Sequence, residues 1–316
     1  MDKLKVVYFG TPDFSVGCLE ILHSREDIEV LAVVTMPDRP AGRGKKLKSP
    51  PVAEFAKDNG IKLLQTENVN KEESFLEEVG KKADFFLVVA FAQFLSQKVL
   101  DCPKIAPFNI HTSHLPKYRG AAPIQYALLN GDQDTAVTIQ RMVKKMDAGD
   151  VAHTHLVKID PQDNSETLFN KLKEESKTAL NDFIEKVKSD SIEYIPQNDA
   201  DASFAPVIKK QVGLIDFTQA TSEEIVNKYR AFYPWPGLFF YLNDQRIKVL
   251  EVSKEENKVA AGELNTSFGT LLVGCKEGSI RLSKVQAEGK KPNTDAELIN
   301  GFKNKYDSLT ITHGAR

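Results

Sequence analysis

The 316-residue sequence predicts an α/β fold with a mostly parallel sheet, then a linker, then a small β-barrel. Three observations carry this expectation. Lys3–Phe9 and Ile28–Thr35 are short apolar runs rich in β-branched residues, separated by one helix length, which is the spacing of a βαβ unit. Asp84–Ala90 (DFFLVVA) is the most hydrophobic run in the chain and reads as a central parallel strand buried on both faces. After residue 206, strand-length runs recur between turn signals, the pattern of a small barrel.

Composition sets outer limits. Hydrophobic and charged fractions of 41% and 27% are those of an ordinary globular protein. The net charge of -2 hides an asymmetry: residues 209–316 carry 16 Lys and Arg against 13 Asp and Glu, while the rest of the chain is acidic. A slightly basic C-terminal third suits a polyanion partner. Cys18, Cys102 and Cys275 are scattered, odd in number and without CxxC spacing. This argues for a reducing compartment and against a disulfide frame or zinc site. Met1–Lys5 runs directly into a strand, leaving no room for a signal or transit peptide, and no apolar run approaches ~18 residues. A monomer in the cytoplasm, with no bound metal and no membrane partner, is the expectation.

Along the chain, Thr11 is placed to cap a helix Pro12–Ser24, with Pro12 in its first turn. The first strand–helix turn lacks GxGxxG, which disfavours a dinucleotide site. Met36–Pro51 (MPDRPAGRGKKLKSPP) reads as a loop without regular structure. It gathers Arg39, Arg43, Lys45, Lys46 and Lys48 beside the single acid Asp38. Loops of that length in a compact domain are usually functional, and this charge suits phosphates; a solvated linker is the plain alternative. Helices near Val52–Asn59 and Lys71–Lys81 flank a strand at Ile61–Leu64, and a short helix Ser96–Leu100 precedes a strand Ala106–Ile110. Further on, a helix Pro123–Leu129, strands Thr135–Met142 and Val151–Ile159, and a long amphipathic helix Ser165–Lys188 complete a first domain, 1–189. Asp190–Pro206 has no Lys or Arg and reads as a linker, leaving 207–316 as a second domain. There, strands Phe239–Leu242, Ile247–Val252, Thr270–Cys275 and Ser279–Val285, with turns at Asn243-Asp244 and Glu277-Gly278, lie between helices Ser222–Ala231 and Thr294–Phe302.

The chemistry is expected where Phe108-Asn109-Ile110-His111 breaks into a polar loop. A spacing of two on a strand puts Asn109 and His111 on one face, so an amide donor sits beside an imidazole that can carry a proton. A capped strand with a satisfied histidine is the structural alternative. Asp147, in the tight turn Lys145–Asp150, is the candidate to orient the imidazole. No Ser or Cys is placed as a nucleophile, so direct transfer between two bound substrates fits better than a covalent enzyme. His153 and His155 share a strand face, and His111 and His114 share a loop, but neither pair has acidic or thiol partners to complete a metal shell.

The chain resembles the methionyl-tRNA formyltransferases over essentially its whole length. The resemblance runs in order through Phe9-Gly10-Thr11-Pro12-Asp13-Phe14, Pro37–Lys46, Asn109-Ile110-His111, Leu115-Pro116, Arg119–Gln125, Asp147-Ala148-Gly149-Asp150, Arg230-Ala231-Phe232 and Pro234-Trp235-Pro236-Gly237. It implies a formyltransferase domain of Rossmann topology, a linker and an OB-like barrel that helps hold tRNA. It also implies 10-formyltetrahydrofolate as formyl donor and initiator methionyl-tRNA as acceptor. By the same resemblance the triad falls on Asn109, His111 and Asp147, and the folate-contacting segment on Ser113, His114, Leu115 and Pro116. The loop that enters the acceptor stem falls on Met36–Pro50, with Arg43 reading the first base pair and Arg39, Lys45 and Lys46 beside it. The sequence departs from the pattern at His114, where the family usually has Leu, and at Thr112, where Gly or Pro is usual. A formyltransferase acting on a small amine, such as an amino sugar nucleotide or glycinamide ribonucleotide, uses a similar triad, but the long basic loop argues against it. A folate- or RNA-binding module without catalysis predicts a broken triad, and the three residues are present.

Overall fold

Alternating apolar runs and amphipathic helices pair in a computed structural model that describes residues 3–41, 44 and 46–312. Arg43 and Lys45 of the basic loop lie outside the described residues. Two compact units form. One comprises Met1–Pro123, Asp134–Lys158 and Phe169–Ala205; the other comprises Ile124–Gln133, Ile159–Leu168 and Pro206–Arg316. The segment 190–206, linker-like in composition, is grouped through Ala205 with the first unit.

The first unit is built on β1 (Leu4–Gly10), α1 (Val16–Ser24), β2 (Ile28–Thr35), β3 (Arg39–Ala41), β4 (Lys46–Lys48), α2 (Pro51–Asp58) and β5 (Leu63–Gln65). It continues with α3 (Glu73–Glu78), β6 (Phe85–Val89), α4 (Gln97–Leu100), β7 (Ala106–His111) and β8 (Arg119–Gly120). After α5 (Pro123–Leu129), which falls almost wholly in the second unit, the first unit resumes with β9 (Asp134–Arg141), β10 (Val151–Lys158), most of α6 (Ser165–Lys188) and β11 (Phe204–Ala205). The seven-stranded sheet has the order β10-β9-β7-β6-β1-β2-β5. The run from β7 to β5 is parallel, and β9 and β10 add an antiparallel edge. Every residue of β6 is buried, as its continuous apolar run requires. On one face Phe86 and Val88 pack with Val7, Phe9 and Leu76. On the other, Phe108 meets Phe183 of α6 at 4.7 Å between ring centroids. Strand order reverses between β1 and β6, and the carboxyl ends at such a point are where α/β sheets bind ligands.

Two local expectations give way. Thr11 caps nothing: α1 begins only at Val16, after a 3-10 turn at Asp13–Ser15. Buried bonds decide the entry, since Ser15 Oγ donates to the Val89 carbonyl at 2.6 Å and the Tyr8 hydroxyl donates to the Ser15 carbonyl. The basic loop is not irregular throughout. Arg39–Ala41 and Lys46–Lys48 pair as an antiparallel hairpin, with Gly44 at φ +105° in its connection. Asp38 supports the base of the hairpin by accepting from Gln65 and Ser49.

The second unit contains α7 (Ser222–Phe232), β12 (Leu238–Leu242), β13 (Gln245–Glu255), β14 (Leu264–Asn265), β15 (Leu272–Gly274), β16 (Ser279–Ala287), β17 (Asn293–Thr294), α8 (Asp295–Lys303) and β18 (Ile311–Thr312). Its sheet is antiparallel, ordered β14-β15-β16-β13-β12-β18 with β17 on β16. Register shifts in β13 mark bulges, which bend a strand and favour the barrel-like, OB-type arrangement expected. The Asn243-Asp244 turn joins β12 to β13 with both residues at positive φ, as a two-residue hairpin demands. Capping boxes at Thr221/Glu224 and Thr294/Glu297 start both helices. Among the described residues no helix is long and apolar enough to cross a membrane.

A charge cluster fastens the C-terminal half of α6 to the turn before β2. Arg25 donates to Asp27 and to Asn181, and Lys188 reaches Asp27 at 2.6 Å. The Arg25 hydrogen bond, followed by that of Lys188, holds the Asp27 carboxyl well below the usual carboxylate range. A depressed folded value adds stability above the unfolded pKa of about 4, and that contribution is lost as pH falls through the folded value. Asp27→Asn should therefore lower the melting temperature at pH 7 by roughly 1–3 °C. The deficit should shrink as the pH is taken below about 4; thermal melts of both proteins between pH 7 and 3 check this.

Candidate active site

His111 ends β7 at the carboxyl edge of the parallel sheet, and Asn109 lies two residues earlier on the same strand face. His111 is 6% exposed, so both ring nitrogens need an account. Its Nε2 lies 3.0 Å from the Tyr118 carbonyl. That oxygen can only accept, so Nε2 carries a hydrogen. Its Nδ1 faces Asp147 Oδ2 at 3.8 Å, an ion-pair distance too long for a direct hydrogen bond. A proton on Nδ1 thus points at the carboxylate yet remains free to bond a third group. Asn109 is half-buried, and among the described residues its amide makes no hydrogen bond. A side-chain amide with no protein partner beside a fixed imidazole is the arrangement an oxyanion site needs.

Asp147 reaches this point from a different segment. It sits in the β9–β10 turn at φ +50°, a left-handed conformation that Asp tolerates better than most residues. Gly120 N donates to Oδ2 at 2.9 Å and Gln140 Nε2 donates to Oδ1 at 2.9 Å. Two hydrogen bonds fix the carboxylate and leave further lone pairs for a proton. Gln140 is buried and lies directly across the strand pair from Asn109. The turn closes on Gly149, where a Cβ would come within 1.7 Å of the Arg141 carbonyl oxygen. Gly120 has the same character: its φ is +126° and a Cβ would lie 2.7 Å from the Ala205 carbonyl oxygen.

Of the other expected residues, Ser113 is buried, its Oγ donating to the Lys117 carbonyl at 2.6 Å while its own carbonyl accepts from Thr138. It shapes the loop rather than presenting a free hydroxyl. Leu115 is buried, Pro116 is half-buried after a cis peptide bond, and His114 is exposed. Arg39 pairs with Glu67 at 2.8 Å on an exposed surface, and Lys46 is exposed on β4. Of the paired strand histidines, His155 bonds Glu175 at 2.8 Å, while both His153 nitrogens are buried without a partner. Burial pushes the His153 pKa down. The structure thus brings Asn109, His111 and Asp147 to one place. It adds four groups not expected there: the Tyr118 carbonyl, the Gly120 amide, Gln140 and Gln197. Only Gln140 left a signal in sequence, a long polar side chain directly after the run Thr135–Ile139 of small, hydroxyl and apolar residues.

Residues 3–184 match the formyl transferase family and 207–303 match the formyl transferase C-terminal domain. The chain belongs to the formyl transferase family. Among curated relatives it is 36% identical over 305 residues to the methionyl-tRNA formyltransferase of Geobacter sulfurreducens, covering 96% of this chain and 95% of that one. It is 40% identical over 304 residues to the methionyl-tRNA formyltransferase of Bacillus pumilus, covering 94% of each. Solved structures of the same fold include WlaRD, a sugar 3N-formyl transferase crystallised with dTDP and 5-N-formyl-THF. There the TM-score is 0.67 at 20% identity, over 92% of this chain and 100% of that one. HypX from Aquifex aeolicus with tetrahydrofolic acid gives 0.61 at 14% identity, over 96% of this chain and 48% of that one.

The Gly149 contact yields a direct test. Gly149→Ala cannot be accommodated without moving the Arg141 backbone, so it should destabilise the first unit by about 2–4 kcal/mol. Chemical denaturation of the variant beside the wild type measures this, and a loss under about 0.5 kcal/mol would contradict the stated packing.

Proposed function

We infer that the chain transfers the formyl group of 10-formyltetrahydrofolate to the free α-amine of initiator methionyl-tRNA, and that Asn109, His111 and Asp147 carry the transfer. The single observation behind the residue assignment is the meeting of an unbonded amide, a tethered imidazole and a doubly bonded carboxylate at the carboxyl edge of the sheet. The formyl donor is a substrate here, not a resident group.

The amine nitrogen adds to the formyl carbon, and the carbonyl π electrons move onto oxygen. Asn109 Nδ2 and His111 Nδ1 donate to that oxygen as charge develops. Both donors are preset by the strand, so little reorganisation is needed at the moment of reaction. Asp147 orients the imidazole and accepts the proton the amine sheds. When the carbonyl re-forms, the bond to the folate nitrogen breaks and that nitrogen takes up the proton that Asp147 received from the amine. Tyr118 holds the far side of the ring, so His111 cannot turn its Nδ1 edge away.

The oxyanion role makes a quantitative expectation. Asn109→Ala, His111→Ala and Asp147→Asn should each fold, with kcat for methionyl-tRNA formylation reduced ~10²–10³-fold. Near wild-type turnover in any one of them would remove that residue from the mechanism.

The acceptor is the second part of the proposal. The basic hairpin supplies cations suited to an acceptor-stem backbone, and a small amine has no use for them. Arg43→Ala should raise KM for methionyl-tRNA by about tenfold, with the KM for formyl donor unchanged. Steady-state kinetics offering methionyl-tRNA, uncharged tRNA and an amino sugar nucleotide separately decide the acceptor class. Preferential formylation of the sugar nucleotide would establish the small-amine reading instead.

A further inference from the structure

We propose that Gln197 is a positioning residue for Asp147, acting from a segment whose composition marks it only as a connection. The inference rests on Asp147 serving the reaction as described above.

The geometry is specific. Gln197 Nε2 lies 2.9 Å from the Asp147 carbonyl, 2.6 Å from the Gly149 carbonyl and 3.2 Å from Gln140 Oε1. One side-chain amide therefore holds the main chain on both sides of Ala148 and also touches the side chain that bonds Asp147 Oδ1. The orientation of the amide is settled by its other end. Arg119 Nε donates to Gln197 Oε1 at 3.0 Å, and a guanidinium can only donate, so the oxygen must face Arg119 and the nitrogen must face the turn. Arg119 is itself 2% exposed, and it follows directly on Tyr118, whose carbonyl holds His111. The same two-residue stretch thus fixes the imidazole and aims the amide that fixes the carboxylate's turn.

The turn needs such a hold. Asp147 occupies a left-handed backbone conformation at φ +50°, and the turn residues Val143–Met146 are exposed. An exposed turn in an unfavourable conformation persists only when its surroundings over-determine it. Asp199 offers a second tie to the same turn, pairing with Arg119 at 2.7 Å and with Lys145 at 2.5 Å. Asp199 is 64% exposed on its side chain, where an ion pair contributes little. The half-buried amide of Gln197, bonded to backbone carbonyls, therefore holds the turn backbone that carries Asp147, while Gly120 and Gln140 hold its carboxylate.

Side-chain variants separate this role from bulk packing. Gln197→Met keeps the volume without the donors. Gln197→Glu keeps an acceptor for Arg119 but points a carboxylate oxygen at two carbonyls. Both should lower kcat by about 10- to 100-fold, with both KM values within about threefold of wild type and a displaced pH profile of kcat. In the Asp147→Asn background, Gln197→Met should cost less than about threefold more, because the group it positions no longer accepts the proton. Asp199→Asn, which keeps a hydrogen-bond acceptor for Arg119, should stay within about twofold of wild-type kcat. Wild-type kcat in Gln197→Met, a loss confined to KM, or full additivity with Asp147→Asn would overturn the proposal. If Asp147→Asn alone turns over normally, the assignment of Asp147 fails first, which is a different result. Should Gln197→Met fail to fold, the same cycle with Gln197→Glu decides.

Discussion

Holding one carboxylate opposite one buried imidazole is the constraint on which the site depends. His111 has its Nε2 committed to the Tyr118 carbonyl, so only the Nδ1 edge is left for chemistry, and Asp147 faces that edge at 3.8 Å. The two groups come from opposite ends of the antiparallel edge of the sheet, 36 positions apart in numbering. Neither strand could place both. β7 supplies the histidine at its carboxyl end, and the β9–β10 turn brings the acid back because β9 pairs alongside β7 with Gln140 opposite Asn109. The antiparallel edge strands are therefore part of the candidate site's geometry, while the parallel strands β6 and β1 give β7 a rigid bed.

That geometry is costly locally and secured from several directions. Asp147 and Tyr118 both sit at positive φ, and Gly120 and Gly149 occupy places where a Cβ would strike backbone oxygen. Strain of this kind collects at functional sites because the productive side-chain directions are not those a relaxed turn offers. Here it is balanced by hydrogen bonds that are short in reach and long in sequence: Gly120 to Asp147, Gln197 to the Asp147 and Gly149 carbonyls, and the Tyr118 amide to Ser203 Oγ. β11 pairs with β8 to carry the last of these.

Much of the fold was legible because its signals are periodic. The strand at Ile28–Thr35 and the helices at Pro123–Leu129 and Ser165–Lys188 begin and end where apolar spacing places them. The meeting of Asn109, His111 and Asp147 was legible because a strand period of two puts a donor beside a proton carrier, and a tight turn with glycine displays an acid. Thr11 was misread as a cap because local preference was outweighed by the buried Ser15–Val89 bond, which no local window contains. The Met36–Pro51 hairpin was hidden by its own composition, since prolines, glycines and lysines obscure strands whose pairing comes from backbone register. Gln197 left no mark at all. Its importance lies in which carbonyls lie opposite it, and those belong to a turn about fifty residues earlier.

Under the proposed function, chemistry and acceptor choice fall on separate parts of the chain. The proposed triad and its supports lie wholly within the first unit, and that fold is shared with a sugar 3N-formyl transferase at 20% identity. Nothing in an amide, an imidazole and a carboxylate distinguishes the amine of an aminoacyl ester from that of a sugar. What differs must lie where the acceptor's bulk rests. The β3–β4 hairpin is the feature suited to that task, because it projects exposed cations from the carboxyl end of β2, on the side of the sheet where ligands bind. A polyanion is drawn to such a surface before any reacting atom is in place, and its affinity scales with the phosphates neutralised. Under the proposed function, changing the hairpin is therefore expected to alter the use of a nucleic-acid acceptor while leaving the oxyanion site intact.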